Sequence, residues 1–121
     1  MSRELRVAEL GAAVRANQAA VDAFDEAVAD HLGINRTDLR CLDLLLEELG
    51  AAATPGQLGG RLGLTTGSVT AMVDRLERLG YVTRSPDPAD RRKVVVRPTE
   101  KILARTREIY GPLVAEGVDL S

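Results

Sequence analysis

Residues 55–74 read PGQLGGRLGLTTGSVTAMVD, the layout of two short helices joined by a tight turn. Leu58 and Leu62, four apart, share one helical face and are expected to form the inner side of the first helix. Gly59 supplies a small residue where a second helix must cross closely. Gly63 stands where the turn has to enter the left-handed backbone region, which costs a residue bearing a Cβ roughly 1 kcal/mol or more. Leu64 is placed to plug the corner. Val69, Met72, Val73 and Leu76 then give the second helix its buried stripe, and Thr65 or Thr66 caps it. The outward face at its N-terminal end is Thr66, Gly67, Ser68, Thr70 and Ala71. These small or hydroxylic groups can enter a DNA major groove without clashing and hydrogen-bond to base edges or phosphates. The free N–H groups and dipole of a helix N-terminus also favour a phosphate.

Working outward from this frame, Thr54 is the expected N-cap of the first helix, with Pro55 at the first helical position, where a missing N–H does no harm. On the other side Gly80 ends the second helix, YVTRS (81–85) reads as a strand, PDPADRR (86–92) as a turn and KVVVR (93–97) as a second strand. A two-stranded hairpin directly after such a helix is a wing, and the combination is a winged helix-turn-helix. The wing tip carries Arg91, Arg92 and Lys93 beside Asp90, a carboxylate positioned to hold a guanidinium in place. An arginine so presented can insert into a narrow, strongly negative minor groove.

The net charge of −2 conceals an asymmetry that fits this reading. Residues 1–53 hold 5 Lys/Arg against 10 Asp/Glu, residues 54–99 hold 8 against 4, and residues 100–121 hold 3 against 4. The middle segment, which contains the helix pair and the wing, is the basic one.

From Arg3 to about Leu32 the apolar residues fall on a heptad, with Val7, Val14, Val21 and Val28 at one position and Leu10 and Phe24 at the other, completed by Asn17 and His31. A long amphipathic helix is expected, stopped by Gly33. Either it faces a core within the monomer or it forms a seam shared with a second chain. A lone helix has no sizeable core of its own to cover here, so the shared seam is preferred. Asn35 or Thr37 caps a second helix whose Leu42, Leu45, Leu46 and Leu49 make one apolar stripe until Gly50. After the wing a last helix runs from about Thr99 with Ile102, Thr106, Ile109, Tyr110 and Leu113 on one face. Gly111-Pro112 predicts a kink or an end there, because proline loses a hydrogen bond and clashes with the preceding turn.

The expected class is therefore mainly α with a small β-hairpin wing, its long flanking helices forming a dimerisation region. One 121-residue domain is expected, with 1–53 and 100–121 as helical scaffold and 54–99 as the DNA-binding lobe. Enzyme chemistry finds little support. One His, one Cys, no metal-ligand spacing and no phosphate-binding glycine loop leave no catalytic, metal or cofactor site to assign. Cys41 in CLDLLL is expected to be a buried, inert thiol, and His31 a helix-end contact. No signal peptide or membrane-spanning run is apparent, so a soluble, cytoplasmic setting is expected.

The run LTTGSVTAMVDRLERLGYVTRSPDPADRRKVVVRPTE (64–100) resembles the MarR family of bacterial transcription regulators: capped helix, VDRLE-R-LGYV-R segment and D-P-x-D-R-R wing follow one another with the family's spacing. The resemblance implies a homodimer with interlocked terminal helices. It also implies one winged helix on each half of a palindromic double-stranded operator, and release by a small molecule or another signal, in the manner of a repressor. By position it implies that Ser68 and Thr70 face the major groove, that Thr65 and Thr66 lie near phosphates, and that Asp90 orients Arg92, with Arg75 and Arg84 as supports or backbone contacts. Ala71 departs from the family, many members placing a longer polar side chain there, and RPTEKI lacks the leucine and glycine that commonly open the next helix. The alternative is a winged helix used only for protein contacts, its wing cations meeting an acidic partner.

Overall fold

The computed structural model describes residues 3–48 and 52–115, distributed over two compact units, Met1–Arg36 and Thr37–Ser121. The first unit is a single 30-residue helix, α1 (Arg3–Leu32). Gly33, with φ of +76°, closes it. The N–H of Gly33 reaches Asp30 O at 3.1 Å and that of Ile34 reaches Ala29 O at 3.0 Å, the paired bonds of a Schellman stop. Arg36 reaches back to Asp22 at 3.0 Å. Only the last turns of α1 are buried, through Val28, Ala29 and Leu32. Val7, Leu10 and Val14 are all more than 60% exposed, and Val21 and Phe24 are also exposed.

In the second unit, α2 (Arg36–Asp43) follows the Asn35 position and passes into a π-type turn at Leu44–Glu48. Leu42 and Leu45 are buried, whereas Leu46 is half-buried. Leu49 and Gly50, expected to finish this helix, lie outside the described residues. The π-type turn has no counterpart in the heptad-like leucine spacing, which reads as a plain α-helix.

The helix pair is α3 (Pro55–Leu62) and α4 (Thr66–Arg78). Thr54 caps α3 reciprocally. Its hydroxyl accepts the Gln57 N–H at 3.1 Å while Gln57 Oε1 accepts the Thr54 N–H at 2.8 Å, so two orphan donors are satisfied at once. Gly63 adopts φ of +68°, and Leu64 N–H closes on Gly59 O at 2.9 Å. At Gly59 a Cβ would stand 3.1 Å from Val69 Cγ2 and 3.2 Å from Leu64 O, so this small residue permits the crossing. Leu58, Val69, Met72, Val73 and Leu76 are buried as expected, and truncating one such leucine to alanine costs about 2 to 5 kcal/mol. Leu62 and Leu64 are only half-buried.

Strands β1 (Val82–Pro86) and β2 (Val94–Pro98) pair antiparallel, with Val82 opposite Pro98 and Pro86 opposite Val94. Ala53 adds a one-residue bridge to Val96, with bonds of 3.1 and 2.7 Å. This contact ties the loop before α3 to the wing's base, which sequence patterning does not reveal. Finally, α5 (Glu100–Ala115) runs through Gly111-Pro112. The helix does not end at that proline, contrary to one of the two outcomes expected there. Ile102 is its buried anchor, Thr106, Ile109 and Tyr110 are half-buried, and the Leu113 side chain lies outside the described residues.

Candidate nucleic-acid interface

The N-terminal end of α4 is built by Thr65. Its backbone is extended at φ of −72° and ψ of 162°, and its hydroxyl accepts the Ser68 N–H at 3.2 Å while donating to Ser68 Oγ at 3.0 Å. Thr65 is thus the cap, resolving the choice between it and Thr66. Thr65, Thr66, Gly67, Ser68, Thr70 and Ala71 are all exposed. The Thr70 hydroxyl donates to Thr66 O at 3.0 Å, so its proton is taken by the backbone. What remains for a partner is a methyl group and an acceptor oxygen.

The wing is braced at its tip by its own acids. Asp87 Oδ1 accepts the Ala89 N–H at 2.9 Å, and Lys93 N–H reaches Asp90 O at 2.9 Å. Asp90 Oδ1 accepts both the backbone N–H and Nε of Arg92, at 3.1 and 3.2 Å. Arg92 nonetheless keeps 91% of its side chain exposed, and Arg91 and Lys93 are exposed beside it. The carboxylate orients the guanidinium without covering it. The pairing of Asp90 with Arg92 is the one expected from sequence.

Arg84 and Arg75 are placed differently. Arg84, on β1, donates from Nη2 to Asp74 at 2.7 Å and from Nη1 to Glu77 at 3.0 Å, while its backbone N–H bonds Glu77 Oε2 at 3.1 Å. A longer bond of 3.4 Å reaches Thr70 O. This side chain therefore straps the wing's first strand to α4. Arg75 points from α4 to Asp38 on α2, with Nη2 at 2.8 Å and Nε at 3.4 Å. That hydrogen bond, aided by the negative charge, raises the Arg75 guanidinium further above its ordinary value against a smaller opposing effect of burial. Of the two roles expected for these arginines, the geometry displays support.

At the far end of α4, Lys101 Nζ donates to Leu79 O at 2.7 Å and Thr99 Oγ1 to Gly80 O at 2.5 Å. The ammonium also lies 5.5 Å from the Tyr81 ring centroid. A cation at the C-terminal carbonyls complements the helix dipole, and these bonds join α4 to the start of α5.

The sequence reading gives no role to the holding residues Asp38, Asp74, Glu77 and Lys101, and places Thr99 only at the start of the last helix. Asp38 had a readable signal. It precedes Leu42 by four and Leu45 by seven residues, which puts a carboxylate on the apolar stripe, and a carboxylate there requires a partner. Cys41 is fully buried. Burial first, and the Asp38 charge second, push its thiol up to about 12. Among the described residues no group of His, Cys, Asp and Glu could hold a metal ion, and no helix is long and apolar enough to cross a membrane.

The model of the MarR family matches residues 32–93. The uncharacterized HTH-type transcriptional regulator YcgE of Bacillus subtilis (strain 168) is 45% identical over 97 residues. That match covers 80% of this chain and 62% of YcgE, so the chain spans less than two thirds of that relative's length. Among solved structures, transcriptional regulator Tm0710 from Thermotoga maritima superposes with a TM-score of 0.74 at 30% identity, covering 85% of this chain and 71% of that one. A cysteine-to-serine mutant of MarR from E. coli, complexed with operator DNA, superposes with a TM-score of 0.64 at 25% identity, covering 92% and 78% of the two chains.

Proposed function

The chain belongs to the MarR family, and from that premise we propose that it is a sequence-specific DNA-binding transcription regulator that acts as a homodimer on a palindromic operator. The observation that carries the reading is the pairing, in one lobe, of an exposed hydroxylic helix end with a hairpin that holds the exposed Arg92 guanidinium on Asp90. In this reading Ser68 and Thr70 meet base edges and Thr65 and Thr66 sit near phosphates. Arg91, Arg92 and Lys93 follow the adjacent backbone and minor groove, and Arg75 and Arg84 hold the surfaces that do so. Residues 54–99 are the DNA-binding lobe, and 1–53 with 100–121 the scaffold. The relative bound to operator DNA supports the partner class.

The exposed apolar heptad of α1 supports the dimer, since a contiguous apolar face of this kind is favoured when covered by a second chain. Two recognition helices would then stand roughly 34 Å apart, one turn of DNA. Repression, relieved by a small molecule or another signal in the cytoplasm, completes the proposal; catalysis has no part in it.

The test is titration of the protein against duplexes selected from a random pool, over a range of salt, with sedimentation of the free protein. The expected results are a two-fold symmetric consensus, a steep fall of affinity with salt, and a mass of two chains. Affinity without salt dependence or sequence preference would favour the protein-contact alternative, and a mass of one chain at tens of micromolar, on the order used for such work, would remove the dimer.

A further inference from the structure

Asp38 is the only buried charged residue among those described. Its carboxylate, 1% exposed, receives the Arg75 fork at 2.8 and 3.4 Å, while the Arg75 side chain stays 40% exposed. A buried carboxylate is a poor source of net stability. Desolvation offsets much of the attraction, and apolar replacement of both partners is often neutral or stabilising. Its geometry is another matter. Two N–H groups on one planar guanidinium accept only a narrow range of carboxylate positions. Arg75 lies five residues after Thr70, and the side chains of the intervening Met72 and Val73 are apolar. An apolar stripe tolerates rotation of a helix about its axis far better than a forked bond does.

We propose that Asp38 is a positioning residue for operator reading: through Arg75 it sets the rotation of α4 about its axis, and so the angle at which Ser68 and Thr70 meet base edges. This rests on the DNA-binding reading above. It assigns to α2 a role in specificity, with no contact between Asp38 and DNA. Arg84 braces α4 from the wing side through Asp74 and Glu77, but those bonds lie at the surface. Asp38 supplies the constraint from the core.

The experiment uses the full chain in two variants. Asp38→Leu with Arg75→Met removes both charges together, and Arg75→Lys keeps the charge but loses the fork. Each is measured for thermal unfolding and for affinity to the selected duplex and to a random duplex of equal length. For the double variant the melting temperature is expected to stay at or above that of the parent, because no charge is left buried and unpaired. Its preference for the selected duplex over the random one should fall by about tenfold, with random-duplex affinity and salt slope unchanged. Arg75→Lys should remain folded and lose preference by a smaller factor. Unchanged preference in Arg75→Lys, or in a folded double variant, overturns the proposal. So does loss of preference that only tracks loss of folded protein in both variants. If the parent itself shows no preference for any duplex, the DNA-binding reading fails first, and that outcome is read from the parent alone.

Discussion

On the proposed reading, replacing Arg92 by alanine should remove one cation per chain from the DNA surface and almost nothing from the fold. The side chain is 91% exposed and its partner Asp90 is itself on the loop, and exposed pairs of this kind contribute little to stability. Each phosphate neutralised contributes about 0.9 to the slope of log affinity against log salt. Over a roughly fourfold rise in salt, the parent should therefore lose about 3.5 times more affinity than the variant for each wing engaged. A dimer with both wings on the duplex doubles the slope change to about 1.8, or about twelvefold over the same range. The size of the change thus counts the wings on the DNA. Because minor-groove insertion reads charge and groove width rather than base edges, the loss should be similar on selected and random duplexes. Fluorescence anisotropy of a labelled duplex, titrated at four or so salt concentrations, measures both quantities. An Arg92→Ala protein with the parental affinity and slope would refute the assignment of the 86–92 loop as a DNA-contacting wing and favour contact with an acidic protein.

Ser68→Ala and Thr70→Ala should each weaken binding to the selected duplex by about 1 to 3 kcal/mol and leave random-duplex binding nearly unchanged, a contrast opposite to that of Arg92→Ala. For Thr70 the loss belongs to a methyl and an acceptor, since its proton is already donated to Thr66 O. Replacing Cys41 by valine should leave both DNA affinity and any response to peroxide unchanged. In the parent a thiol raised to about 12 stays protonated at neutral pH, so thiol reagents should label it only on unfolding. The same shift makes stability fall as pH rises above the ordinary thiol value of 9.0 towards about 12, because the folded thiol holds its proton more tightly than the unfolded one. A Cys41→Val protein should lack that part of the alkaline decline. Gly63→Ala should lower stability by about 1 kcal/mol or more, all of it from the backbone at φ of +68°, since a Cβ there meets nothing within 4 Å; an unchanged thermal midpoint would contradict this.

Features of this chain that depend on local spacing were legible in its sequence. Gly33, Gly63 and Gly80 stand where the sequence pattern requires helix stops or turns, and all three have positive φ. The cap Thr54, a cap at Thr65 or Thr66, the stripe from Val69 to Leu76 and the two strands, each displaced by one residue in the fold, follow from neighbours within four residues or from period-two alternation. Apart from the π-type turn at Leu44–Glu48, the features without a local sequence signal are mostly contacts between distant positions. The Ala53 bridge to Val96 joins residues 43 apart, the Arg75 bond to Asp38 spans 37 and the Lys101 bond to Leu79 spans 22. No periodicity within a window of ten residues encodes such pairs. Gly111-Pro112 is a different case, because the helix runs through it and so excludes the end, one of the two outcomes expected there. The first-turn preference of proline and its cost in a helix interior are local averages, and an interior proline can be carried when the rest of the helix is held; α5 has Ile102 and the Thr99 and Lys101 bonds at its start.

The charge excess of residues 54–99 is unevenly distributed in the folded chain. Counting +4 over residues 54–99 treats every arginine as available to a phosphate. In the folded chain Arg84 is engaged by Asp74 and Glu77 and Arg75 by Asp38, so these cations and their acids form locally compensated pairs whose field falls off quickly. Three of the four acids in that segment, Asp74, Glu77 and Asp90, hold arginines, and the fourth, Asp87, turns the wing loop. The acids are therefore structural in placement. Arg75 is neutralised by a carboxylate from outside the segment, which a segment count omits. At the wing Arg91 and Lys93 are exposed beside Arg92, whose guanidinium stays exposed although Asp90 holds it. A basic lobe inferred from composition thus resolves into a braced helix, presenting hydroxyls and methyls, beside a tip that presents charge. That division is why the recognition helix and the wing are expected to fail differently: substitutions on α4 should alter which sequence is preferred, and substitutions at the tip should alter how tightly any duplex is held.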